Sequence, residues 1–168
     1  MDYIVREAQK DDAERIINFY NIVGGESDYL SFGKNEFQRD AVEYGDYLET
    51  VRGEDNSIIL LALVGEKIIS IATITSSQRA RSKHVGTLGI VVSKEYKGKG
   101  IGKRLMKELI QWASQNGITK KISLVTRQDN ENAIALYKQL GFKKEGLSER
   151  DTFIDGIYYH TLSMALFL

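Results

Sequence analysis

The sequence predicts a single α/β domain built on a mixed β-sheet with helices on both of its faces. Three observations carry that expectation. The chain is 168 residues long, which suits one domain. Its middle reads as consecutive β-runs joined by a tight turn. Its second half alternates strands with amphipathic helices, and strands flanking a crossover helix must run parallel. A domain of this length buries roughly two thirds of its unfolded surface, so it needs no covalent staple.

Residues 4–7 read as a short strand. Asp11 or Asp12 then caps a helix carrying Ala13, Ile16, Ile17 and Tyr20 at helical spacing, and Gly24-Gly25 stops it. Residues 35–51 read as a second helix with Phe37, Ala41, Tyr44 and Leu48 on one face, although Gly45 weakens it. Residues 57–64 and 67–75 are strand-like, and Gly65-Glu66 between them signals a hairpin. Residues 84–93 form a third run rich in Val and Ile. Residues 100–116 are strongly amphipathic, with Ile101, Leu105, Leu109 and Trp112 as the apolar stripe and Gly117 at the stop. A strand at 121–126, a helix at 130–140 ended by Gly141, and two strands at 142–149 and 156–166 complete the chain.

Composition excludes several classes. Lys plus Arg and Asp plus Glu number 23 each, so the formal net charge is zero, which argues against bulk nucleic-acid binding. The chain has no cysteine, hence no disulfide framework and no thiolate nucleophile. With only two histidines, far apart, metal catalysis is not expected. The first residues lack the apolar core of a signal peptide, and the longest apolar run, 58–64, is too short to cross a bilayer. These features together lead us to expect a cytoplasmic protein.

The most informative stretch runs from Ile90 to Leu105. A buried strand enters a turn with alternating glycines, Gly98, Gly100 and Gly102, and the turn opens the amphipathic helix. Glycines let backbone approach a ligand closely, and the first amides of a helix are free and sit at the positive end of its dipole. The combination suits a phosphate. From Lys97 to Lys121 there are seven basic residues and one acidic, which adds to the attraction. Two familiar phosphate loops do not fit. The P-loop would need Gly where Lys97 stands and Ser or Thr where Arg104 stands. The dinucleotide fingerprint needs its third Gly one residue later than Gly102.

The segment Lys97-Gly98-Lys99-Gly100-Ile101-Gly102 resembles the cofactor loop of the GNAT superfamily of acyl-CoA-dependent N-acyltransferases, with Lys97 for the usual Arg or Gln. A second family motif recurs at 130–142, where Asn130, Ala133, Ile134, Leu136, Tyr137, Gly141 and Phe142 all match. The resemblance implies a mixed, mostly antiparallel twisted sheet of about seven strands flanked by about four helices, in one N-acetyltransferase domain over residues 1–168. It implies acetyl-CoA (CoA) as the cofactor. Backbone groups of Ile90, Val91 and Val92 would pair with the pantetheine arm, amides of Lys97, Gly98, Lys99, Gly100, Ile101, Gly102 and Lys103 would hold the pyrophosphate, and Asn130 would contact the cofactor. A neutral amine would attack the thioester directly, through a tetrahedral intermediate whose oxyanion the Val91 amide would stabilise. Tyr137 would protonate the departing sulfur as general acid; taken alone, with Leu136, Leu140 and Phe142 nearby, it also reads as a core aromatic.

The base is the departure from the pattern. Many family members carry a Glu on the strand before the loop, and that position falls at Gly89. His84 titrates in a suitable range; Glu26 and Asp28 are further candidates, since the region after the first helix lines the acceptor pocket in this family. Tyr29 joins them as an acceptor contact. Residues 24–56 carry nine acidic and three basic side chains, which favours a small cationic amine. His160 stands where an acidic residue often stands in a branch acting mostly on small amines. The expected partners are a small-molecule amine acceptor and at most a second copy of the chain, with no nucleic acid and no membrane. Competing readings are a protein N-terminal or lysine acetyltransferase and a non-catalytic acyl-CoA-binding module.

Overall fold

Seven strands and four helices make up the computed structural model, which describes residues 1–27 and 29–168. In chain order they are β1 (Ile4–Glu7), α1 (Ala13–Val23), α2 (Ala41–Arg52), β2 (Ile58–Val64), β3 (Lys67–Ser76), β4 (Val85–Val92), α3 (Ile101–Gln115), β5 (Lys121–Arg127), α4 (Glu131–Gln139), β6 (Lys143–Ile154) and β7 (Ile157–Phe167). Short 3-10 turns lie at Lys10–Asp12 and Lys94–Tyr96. The strands form one sheet in the order β1-β2-β3-β4-β5-β7-β6. Every neighbouring pair is antiparallel except β4 and β5. No helix among the described residues is long and apolar enough to cross a membrane.

Burial explains why β2 reads as an unbroken apolar run. Successive side chains leave a strand on opposite faces, and here both faces are covered. Leu60 and Ala62 join Leu105, Met106 and Leu109 of α3, whereas Ile59, Leu61 and Leu63 join Ile16 of α1 and Leu48 of α2. The turn between β2 and β3 uses Gly65 at φ 58°, the conformation that a two-residue hairpin favours.

Three expectations need correction. Helix α2 begins at Ala41, not at residue 35, because the Asp40 carboxylate accepts the amides of Val42 and Glu43 at 3.0 Å each and so fixes the N-terminus there. The preceding segment is held by Asn21, whose side chain both donates to Phe37 O and accepts from Phe37 N. Asp12 does not cap α1 through its side chain; its buried carboxylate instead accepts from Arg6, Arg15 and the amide of Gln9. The last hairpin is longer than expected, since Asp155-Gly156, both at positive φ, closes it.

The single parallel ladder positions the site. Only Val85, Gly86 and Thr87 of β4 pair with Lys121, Ile122 and Ser123 of β5. Beyond them the two strands part, and the second half of each faces a cleft.

Candidate active site

The cleft between the parted strands has a volume of about 800 Å³ and is lined by Thr87 to Val92 of β4, Tyr96 to Gly98 and Gly100 to Lys103 of the following turn and α3, and Leu124 to Arg127 of β5. Asn130, Ala133, Leu136 and Tyr137 close it from α4, and Glu26, Tyr29 and Phe32 from the loop after α1. The two motifs, some thirty residues apart in sequence, therefore meet in one cavity.

The glycine turn has the geometry of an anion cradle. Gly98 and Gly100 lie at φ 75° and 79°, and a Cβ on either would meet nothing within 4 Å. The positive φ demands glycine there, and the open space leaves the backbone approachable. The first internal bond of α3 runs from Arg104 N to Gly100 O at 3.1 Å. Among the described residues no acceptor is found for the amides of residues 98–103. Free amides at the positive end of a 15-residue helix suit a pyrophosphate. The residues present thus fit the phosphate end of acetyl-CoA.

The ladder between β3 and β4 decides which strand amides face the cleft. Ser93 N donates to Ile69 O at 3.0 Å, and the register continues without interruption through Ile71↔Val91 and Thr73↔Gly89. Bonding direction alternates along a strand, so Gly89 and Val91 turn their backbone groups to β3. Val91 O also accepts from Ser70 Oγ at 2.8 Å. At the other end, His84 O accepts from Lys120 N and Lys121 N, on the β5 side. The same parity turns Leu88, Ile90 and Val92 toward the cleft. Val91 is therefore not the amide donor the sequence suggested; its neighbours Ile90 and Val92 are the ones so oriented.

Tyr137 packs its ring against Phe142 at 6.0 Å and is 9% exposed, yet it lines the cleft. Core packing and access to the cavity coexist in it. Burial pushes its hydroxyl above the ordinary tyrosine value, because a phenolate is poorly solvated there. Asn130 stands at the start of α4 and lines the cleft, and its Nδ2 approaches Thr126 Oγ1 at 3.5 Å.

The remaining candidates divide. His84 is exposed at the joined end of the two strands, about 20 Å along β4 from Val91, and does not reach the cleft. Glu26 does reach it, and its Oε2 accepts Lys94 N at 2.8 Å. Asp28 lies outside the described residues. Tyr29 lines the cleft and faces the Arg127 guanidinium at 4.8 Å. The acidic excess of 24–56 is mostly elsewhere: Asp40 caps α2, Asp46 pairs with Lys10 at 3.0 Å, and Glu36 accepts the amide of Gly33. Of the described acids in that stretch, Glu26 alone lines the cleft, so the expected acidic wall is largely a solvated helix face. A Cβ on Gly89 would stand 3.0 Å from Thr73 Oγ1, so a side chain at that position would require Thr73 to shift by a few tenths of an ångström.

Sequence reasoning missed Arg127, Thr152 and Thr161, all of which line the cleft. Arg127 is buried, bound to Asp129 at 2.6 and 3.0 Å, and stacked 3.5 Å from the Tyr159 ring centroid. Its signal was a charged residue ending an apolar strand. Thr152 and Thr161 carried none.

A seven-stranded sheet parted at its one parallel ladder, with an anion cradle at the parting, is the architecture of an acyl-CoA-binding transferase. The acetyltransferase (GNAT) family model matches residues 5–142, and the chain belongs to that family. A GNAT-family acetyltransferase from Streptococcus pneumoniae superposes with a TM-score of 0.96 at 34% identity, covering 99% of this chain and 100% of that one. The fold is shared with Salmonella typhimurium yncA, solved with acetyl-CoA, at a TM-score of 0.84 and 18% identity over 99% of this chain and 94% of that one. The L-amino acid N-acetyltransferase AaaT of Escherichia coli is 32% identical over 106 residues, 63% of this chain and 65% of that protein. The E. coli spermidine N(1)-acetyltransferase is 35% identical over 78 residues, 46% of this chain and 42% of that protein. The chain thus matches less than two thirds of the length of these two relatives.

Proposed function

We propose that the chain is an acetyl-CoA-dependent N-acetyltransferase whose acceptor is the primary amine of a small molecule. One observation carries the reading: the free amides of residues 98–103 lead directly into the cleft-facing edge of β4, with Tyr137 lining the same cavity. Bound along that path, acetyl-CoA supplies an acetyl group already activated as a thioester. Amides 98–103 hold the pyrophosphate, with Lys97 and Lys103 adding positive charge. Val92 and Ile90 pair with the pantetheine arm. The Ile90 amide donates to the carbonyl oxygen as charge collects on it, an interaction typically worth about 3 kcal/mol. Tyr137, kept protonated by its burial, gives its proton to the departing sulfur.

The loop after α1 favours a small acceptor. Its residues line the cleft, among them Glu26 bonded to Lys94 N and Tyr29 facing Arg127. Glu26 supplies the negative charge that receives the acceptor's ammonium. The relatives' names, an L-amino acid enzyme and a spermidine enzyme, agree on an amine nitrogen and differ in what carries it.

The test is turnover. Purified protein with acetyl-CoA is offered L-amino acids, polyamines, aminoglycosides and short peptides with free N-termini, and CoA release is followed. Acetylation of a small amine at a kcat/KM at least tenfold above that of any peptide is expected. Preference for a peptide would establish a protein acetyltransferase instead, and CoA binding without any turnover a non-catalytic module.

A further inference from the structure

No carboxylate of β4 reaches the cleft, and Glu26, which does, is engaged by Lys94 N at 2.8 Å, so a further route for the acceptor's proton is of interest. The β6–β7 hairpin holds one. Its register jumps from Ser148↔Thr161 to Thr152↔Tyr159, so Glu149, Arg150 and Asp151 together oppose His160 alone. Such a bulge re-aims side chains. Arg150 takes φ 51°, and its amide donates to His160 Nδ1 at 2.9 Å, which fixes the distortion. As a result the Asp151 carboxylate meets Thr161, and Thr161 Oγ1 donates to Asp151 Oδ2 at 2.6 Å. Thr161 is 7% exposed and lines the cleft; Asp151 is exposed to solvent.

We infer that Thr161 is a catalytic residue that takes a proton from the acceptor nitrogen while passing its own hydroxyl proton to Asp151. The inference rests on the acetyl-transfer reading. A hydroxyl that donates to a carboxylate keeps lone pairs free to accept. The acceptor's N–H bond breaks as a bond to Thr161 Oγ1 forms, the Thr161 O–H bond breaks as Asp151 Oδ2 gains the proton, and Asp151 releases it to water. The nitrogen keeps the electron pair with which it attacks. Asp151 acts through Thr161 and is a positioning residue and proton sink. The relay joins a buried site to bulk solvent through two side chains, Thr161 and Asp151.

The experiment uses Thr161→Val, Thr161→Ser and Asp151→Asn in the full chain, with spermidine, L-methionine and an alanine-terminated hexapeptide as acceptors. Calorimetry with CoA should give the same affinity in all variants. At pH 7, kcat/KM for the best wild-type acceptor should fall about 100-fold in Thr161→Val and Asp151→Asn, and less than about threefold in Thr161→Ser. The deficit should close as pH rises toward the pKa of the free amine, because acceptors then arrive already deprotonated. A Thr161→Val protein within threefold of wild type at pH 7, a serine variant as poor as valine, or a deficit constant with pH would each overturn the relay alone. A wild-type protein that binds CoA and acetylates none of the three would overturn the acetyl-transfer reading and the relay with it.

Discussion

Glu26 Oε2 accepts the backbone N–H of Lys94 at 2.8 Å, although 68 positions separate the two in sequence. The bond joins the loop after α1 to the turn that precedes the glycine turn of α3.

Removing that tie should loosen the acceptor side first. In Glu26→Ala we expect the acceptor's KM to rise at least about tenfold, the loss of roughly one hydrogen bond to a charged group. CoA affinity, measured by calorimetry, should change less than twofold. A KM equal to wild type would remove Glu26 from acceptor binding.

The glycine turn offers a paired test. Gly100→Asp places a side chain and a negative charge at φ 79° beside the phosphate cradle. CoA affinity should drop at least tenfold in a folded protein, since strain and repulsion act together. Gly102 is different: its Cβ would meet Val92 Cγ2 at 3.4 Å and Ile90 Cδ1 at 3.6 Å, ordinary contacts, in a helical conformation. Gly102→Ala should therefore melt no lower than wild type, with up to about 1 kcal/mol of added helix stability. Equal CoA affinity in Gly100→Asp and wild type would place the pyrophosphate elsewhere.

Tyr137→Phe should retain CoA binding and lose about 100-fold in kcat where chemistry limits the rate. Because burial raises the hydroxyl of Tyr137 above the ordinary tyrosine value, its protonated form persists through neutral and mildly alkaline pH. The wild-type rate should thus show no alkaline decline below about pH 10 attributable to this group. Full activity in the phenylalanine variant would leave Tyr137 as packing alone.

Asp12 sets an acid limit on the fold. Burial by itself would raise its carboxyl, but the hydrogen bond from Arg6, the amide of Gln9 and the charges of Arg6 and Arg15 outweigh burial and hold it at about 2. A carboxyl lowered in the folded state contributes stability above its unfolded value near 3.9 and loses it as pH falls toward 2. Wild type should lose on the order of 2 kcal/mol between pH 5 and pH 2 through this group. Asp12→Asn should be less stable at neutral pH and flatter across that interval, read by denaturant melts at each pH.

Much of the fold was legible because local signals and tertiary environment agreed. The apolar run of β2, the stripe of α3 and the Gly65 turn each specify one conformation. The start of α2 was misread because Phe37 has helical spacing to Tyr44, whereas its ring packs against Tyr20 at 4.7 Å in a loop that Asn21 holds. The site divides the same way. Its glycine turn is a contiguous sequence pattern and opens α3 as read. The backbone of Val91, the donor expected on β4, faces β3 instead, since parity depends on which neighbour occupies each edge. Thr161 and Asp151 meet only through a bulge in β6, and no periodicity records a bulge.

The early parting of β4 from β5 leaves the sheet with an internal edge. Leu88, Ile90 and Val92 present backbone groups to a gap where a neighbouring strand would lie, and three register pairs hold the two halves of the sheet together. An extended molecule that fills the gap serves as the missing strand and binds the folded chain but not the unfolded one. Stability then follows mass action, gaining about 2.7 kcal/mol when that molecule stands at a hundred times its dissociation constant. The melting temperature of this protein becomes a gauge of how much CoA surrounds it, and depletion of the ligand leaves the two half-sheets joined by their shortest ladder.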